Sequence, residues 1–147
     1  MLALLAAAAA SAAQPANGEI ADIRMHLFYR HTGALSVDIS PPREFAGWNT
    51  VIGEGDSGGP ADDLVVVVAV RGAAGEEYIE RPLRVTARGR NNRVIAQRSF
   101  DSLLTSSDGQ SYSPLWLQNV GCEGDIRVTA TFGDHTRTES VSLDCGE

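Results

Sequence analysis

The chain has 147 residues, 43% of them apolar, with 12 basic against 19 acidic residues and a net charge of −7. Residues 1–13 supply 12 of the 63 apolar residues, so the remaining 134 hold 51, about 38%. That is too few for a multispan membrane protein and, with a long Val run, too many for disorder. The negative charge argues against binding nucleic acid or an anionic membrane surface non-specifically. All 12 basic residues are arginine, the bias of a GC-rich, bacterial coding sequence. The length suits one domain that buries a core without metals or oligomerisation.

Met1–Ala13 has the form of a cleaved secretory signal peptide. An apolar run, Leu2–Ala10, is followed by Ser11-Ala12-Ala13, although no Lys or Arg precedes it. The run is shorter than the roughly 20 residues a membrane span needs, so the mature chain carries no transmembrane segment. The expectation is a polar lead-in over 14–22, one domain over 23–147, and a periplasmic or secreted location.

Period-two alternation dominates the rest. Met25–Tyr29 and Leu35–Ile39 alternate around His31-Thr32-Gly33. A three-residue loop there sets Tyr29 opposite Leu35, Leu27 opposite Val37 and Met25 opposite Ile39, one wholly apolar face, with His26 facing Asp38 on the other. Ser40–Asp63 is long for a connection and rich in Gly and Pro; Asn49–Ile52 is expected to form a short edge strand within it. Leu64–Val70 reads as a central strand. Leu83–Ala87 and Val94–Phe100 form a hairpin around Asn91-Asn92, with Leu83, Val85, Ala87, Val94, Ala96 and Phe100 inward. Arg98 falls on that inward face and signals a bulge or strand end. Tyr112–Gln118 is a further strand, with Trp116 read as core.

Ile126–Phe132 and Arg137–Leu143 flank Gly133-Asp134, a pair suited to a type II′ turn. In that register Phe132 pairs with His135, Ile126 with Val141, and Cys122 with Cys145, at a separation a disulfide can bridge. An even cysteine count agrees with export. About eight short strands predict an all-β chain folded as a single antiparallel, immunoglobulin-like β-sandwich, with an up-and-down β-barrel as the second choice. The Cys–Trp–Cys spacing of antibody domains is absent.

Gly55-Asp56-Ser57-Gly58-Gly59-Pro60 resembles the nucleophile motif of trypsin-like serine proteases. The resemblance implies Ser57 as nucleophile and backbone N–H groups as an oxyanion hole, with His26 and Asp38 available in the matching order. It covers six residues. Two six-stranded barrels cannot fit this chain, no Ala-Ala-His-Cys-like segment surrounds His26 or His31, and no cysteine pair brackets Ser57. The motif is also what a flexible turn looks like. The expectation is therefore that the match is coincidental and the protein is not an enzyme; the alternative is a serine hydrolase using Ser57, His26 and Asp38.

Glu54, Asp56, Asp62 and Asp63 could offer oxygen ligands to Ca²⁺, but the fifth and twelfth positions counted from Glu54 are Gly58 and Val65, which breaks the EF-hand pattern. His26, His31 and His135 are scattered, so neither a metal nor another cofactor is expected. Within 81–98, Arg84, Arg88, Arg90 and Arg93 cluster on the outer face and tip of one hairpin. They suit an anionic or glycan ligand, or simply a solvated strand edge. Phe45 and Trp48 are the loop aromatics available for binding, or for plugging the end of the sandwich. The sequence thus points to an exported, non-catalytic binding or structural module with an unidentified protein or glycan partner.

Overall fold

A computed structural model describes residues 17–146. The signal peptide expected over residues 1–13 lies outside the described residues. The strands are β1 (Glu19–Tyr29), β2 (Ala34–Leu35), β3 (Asp63–Arg71), β4 (Glu77–Tyr78) and β5 (Leu83–Arg88), followed by β6 (Val94–Phe100), β7 (Leu103–Leu104), β8 (Gln110–Leu117), β9 (Gly124–Phe132) and β10 (His135–Leu143). β1 begins inside the stretch read as a lead-in. Two four-stranded antiparallel sheets, ordered β2-β1-β3-β8 and β10-β9-β5-β6, face each other, and β4 pairs with β7 at one end. The chain changes sheet between β3 and β5, β6 and β8, and β8 and β9, the Greek-key traffic of an immunoglobulin-like sandwich.

Alternate residues of each strand enter the core. Ile23, Met25 and Leu27 of β1 and Leu64, Val66, Val68 and Val70 of β3 meet Leu83, Val85 and Ala87 of β5 and Ile126, Val128, Ala130 and Phe132 of β9. Burial of this apolar area drives the two sheets together. Two arginines latch the seams where the sheets meet. Arg137 on β10 donates to the Ala21 carbonyl at 2.7 Å, where β1 bulges and leaves Ala21 out of the ladder. Arg98 on β6 donates to the Pro114 carbonyl on β8 at 3.4 Å.

The C-terminal hairpin has the expected register: His135 pairs with Phe132 and Val141 with Ile126. Gly133 takes φ 60, which a side chain would strain. The disulfide Cys122–Cys145 closes beyond the hairpin, with Cα atoms 4.9 Å apart.

Four readings are corrected. The β1–β2 loop has four residues, so Phe28 pairs with Leu35 and Tyr29 with Ala34. The one-residue slip turns Leu35 and Val37 out to solvent, 49% and 62% exposed. Ile39 alone recovers the expected partner, donating its N–H to the Met25 carbonyl at 2.8 Å. Asn49–Ile52 is a turn of 3₁₀ helix over Thr50–Ile52 rather than a strand. Val94 is exposed, because a bulge pairs Arg88 with Val94 but Ala87 with Ala96. Arg98 does lie opposite Val85, and its guanidinium leaves the core by stacking 4.5 Å from the Phe100 ring. Trp116 is not core: Ser113, Leu115 and Leu117 point inward, leaving Trp116 on the outer face and 45% exposed.

Candidate binding surfaces

The Gly-Asp-Ser-Gly-Gly-Pro segment is a tied-down turn. Ser57 is 1% exposed, its hydroxyl donates to the Glu54 carbonyl at 2.9 Å, and its own carbonyl accepts from the Tyr29 hydroxyl. Asp56 accepts from the Ala46 N–H at 2.8 Å, and Gly55 and Gly58 take positive φ. His26 lies on the outer face of β1, its Nδ1 2.9 Å from the Ser36 carbonyl. Asp38 accepts from the Met25 and Ser40 N–H groups and the Ser40 hydroxyl, standing in for ladder bonds where β2 has ended. Burial raises the Asp38 carboxyl pKa; these donors and the nearby His26 outweigh it and hold the group below its ordinary value. Ser57, His26 and Asp38 thus each bond to local backbone, and no hydrogen bond joins them.

The acidic loop residues are also occupied. Glu54 accepts from the Asn49 amide at 2.8 Å and Asp62 from the Gly121 N–H at 3.1 Å. Asp63 joins three segments, accepting two bonds from Arg30 and one from the Asn119 N–H. Burial pushes its carboxyl up, but Arg30, Asn119 and the Trp116 side chain outweigh this and hold it below the ordinary range. Among the described residues no group of three or more His, Cys, Asp or Glu could hold a metal ion.

The two loop aromatics divide. Phe45 packs against the core beside a cleft of about 620 Å³ that it shares with Tyr29, Arg43 and Ser57. Trp48 is 50% exposed beside the β10 tail, where the Asn49 N–H bonds the Asp144 carbonyl at 2.7 Å. The arginines divide too. Glu123 grips the hairpin tip, accepting from both Arg93 and the Arg90 N–H at 3.0 Å, while the Arg90 guanidinium donates to the Cys122 carbonyl. Arg84 and Arg88 stay on the open face of β5.

Register then assembles two outer faces of opposite character. On the first sheet, Trp116 packs edge-on against Phe28 across β3, ring centroids 4.6 Å apart, and Arg24 lies 5.6 Å from the Tyr112 ring centroid. These two pairs roof Val65 and Ala69 of β3, which are buried although they point outward. Pro114 sits between Tyr112 and Trp116 on β8, an edge strand where its missing N–H costs no ladder bond. Asp22, bonded to Arg24 at 3.1 Å, and His26 flank the rings. On the second sheet, Arg88 faces Arg127, Thr86 faces Thr129 and Arg84 faces Thr131 across β5 and β9. β10 continues these rows with Ser140, Thr138 and Thr136.

No family model matches the chain, and no curated protein matches it. Solved structures similar to it include a glycosyl hydrolase family 2 member from Bacteroides cellulosilyticus, with TM-score 0.42, 9% identity, and 55% of this chain against 12% of that one. Another is a β-glucuronidase from Bifidobacterium dentium, complexed with coumarin-3-O-glucuronide, with TM-score 0.44, 12% identity, and 88% against 18%. The C-terminal domain of Wzt gives TM-score 0.47 and 10% identity over 91% of this chain and 76% of that one. The chain thus spans less than a fifth of either glycosidase. These likenesses assign no residue, ligand or activity to this chain.

Proposed function

We propose that the protein is an exported, non-catalytic module that binds a polysaccharide on the outer face of its first sheet. The observation that carries this reading is the ring row on β8: Tyr112 and Trp116 are 54% and 45% exposed and held in place by Arg24 and Phe28. Four residues of strand rise separate them by about 13 Å, a span that favours an extended chain over a single small ligand. Aromatic faces match the C–H faces of sugar rings, and Asp22, Arg24 and His26 stand beside them as hydrogen-bonding groups. Rings already fixed in place lose little entropy on binding. Export is supported by the disulfide; among the described residues no helix is long and apolar enough to cross a membrane.

Affinity electrophoresis in gels containing β-glucan, xylan, mannan or dextran tests the reading. At least one polymer should retard the protein. Y112A/W116A, which also uncovers Val65 and Ala69 and so lowers the melting temperature, should abolish the retardation at a temperature where the variant still shows a folded baseline. Free migration through all four, or retardation that survives the double substitution, overturns it.

A further inference from the structure

The outer face of the second sheet contradicts the sign of the whole molecule. The chain carries −7, yet Arg84, Arg88 and Arg127 share this face. None of them takes part in an ion pair among the described residues; Arg24, Arg30, Arg71, Arg93 and Arg137 do. Arg88 and Arg127 are direct cross-strand partners, an arrangement that costs stability. The Arg88 guanidinium donates to the Asn92 carbonyl, at 2.9 Å. Beside them is a cleft of about 380 Å³ lined by Arg88, Asn92, Asp125, Arg127 and Ser140. Among the described residues, Asp125 is the one acidic residue lining it.

We infer that this face is a second binding site, for a polysaccharide bearing carboxylate or sulfate groups. Guanidinium groups fit both oxyanions through paired hydrogen bonds. Arg84 and Arg88 are spaced along β5 by about 13 Å, which suits repeated charges on one polymer rather than one small anion. The hydroxyls of Thr86, Thr129, Thr131 and Thr138 fill the surface between and beside the arginines, with Thr129 and Thr138 3.0 Å apart. They give the uncharged hydroxyls of such a chain their partners. The site shares no residue with the Tyr112–Trp116 face, so either reading can fail alone.

Affinity electrophoresis at low ionic strength in polygalacturonate, dextran sulfate and neutral dextran provides the test. The wild-type protein should be retarded by polygalacturonate, dextran sulfate or both, and added salt should release it. R84Q/R88Q/R127Q should weaken that retardation about tenfold or more, while R93Q and Y112A/W116A leave it unchanged. Passage through both polyanions without retardation overturns the inference, as does retention by the triple variant with its wild-type melting curve. Equal retardation by single-stranded DNA overturns the assignment to a polysaccharide. If the triple variant fails to fold, the single variants R88Q and R127Q decide, each expected to weaken retention.

Discussion

Arg88 and Arg127 face each other across β5 and β9, like charges at directly paired positions of a sheet. A fold optimised for stability alone would place opposite charges there. Arg127→Glu should therefore stabilise the protein by roughly 0.2–1 kcal/mol, read as a higher urea midpoint, while retention on polyanionic gels falls. Lower stability in this variant would mean that the pair is already compensated.

Asp63 ties the end of β1 to the segment after β8 through Arg30 and Asn119. Because its carboxyl titrates lower folded than unfolded, its stabilisation is complete above the unfolded value, near pH 4, and disappears as pH falls through the depressed one. Asp63→Asn should cost about 2 kcal/mol at neutral pH and flatten the loss of stability as pH falls below the unfolded carboxylate range, near pH 4. Urea titrations at several pH values measure both; an unchanged acid slope would assign the dependence elsewhere.

The Cys122–Cys145 bridge closes a loop of sequence separation 23. Chain-entropy reasoning gives it about 3 kcal/mol, so reduction, or C122S/C145S, should lower the denaturant midpoint accordingly. Free thiols in oxidised, exported material would contradict the bridge.

Ser57 is buried and donates to the Glu54 carbonyl. Ser57→Ala should cost about 1 kcal/mol and change no reactivity, because the wild-type protein should not react with a fluorophosphonate probe. Stoichiometric labelling that disappears in the variant would restore the hydrolase reading.

What could be read from sequence follows the range of the interactions. The β9–β10 hairpin was legible because Gly133, the strand alternation and the two cysteines agree on one register. The β1–β2 hairpin misled because Leu27, Phe28 and Tyr29 are all apolar, so pattern alone does not choose between adjacent registers. Trp116 was misplaced for the same reason: both faces of β8 carry large apolar groups, and only its pairing with β3 decides which faces inward. Arg84 and Arg88 were visible in one hairpin, but Arg127 comes from a strand far along the chain. The nearest sequence signal was its place in the Arg127–Thr129–Thr131 alternation, which marks a polar outer face without naming its neighbours.

The seam arginines have a consequence for self-association. A sandwich ends in strand edges whose free N–H and C=O groups can template another chain. Here β8 offers no N–H at Pro114, and the carbonyl of that residue already belongs to Arg98. On the opposite seam the Ala21 carbonyl belongs to Arg137. Each guanidinium therefore caps an acceptor that an incoming strand would need, and brings a charge that the strand would have to displace. Replacing Arg98 and Arg137 with leucine would open both seams to polymerisation, so the arginines that join the two sheets also help keep one molecule from joining the next.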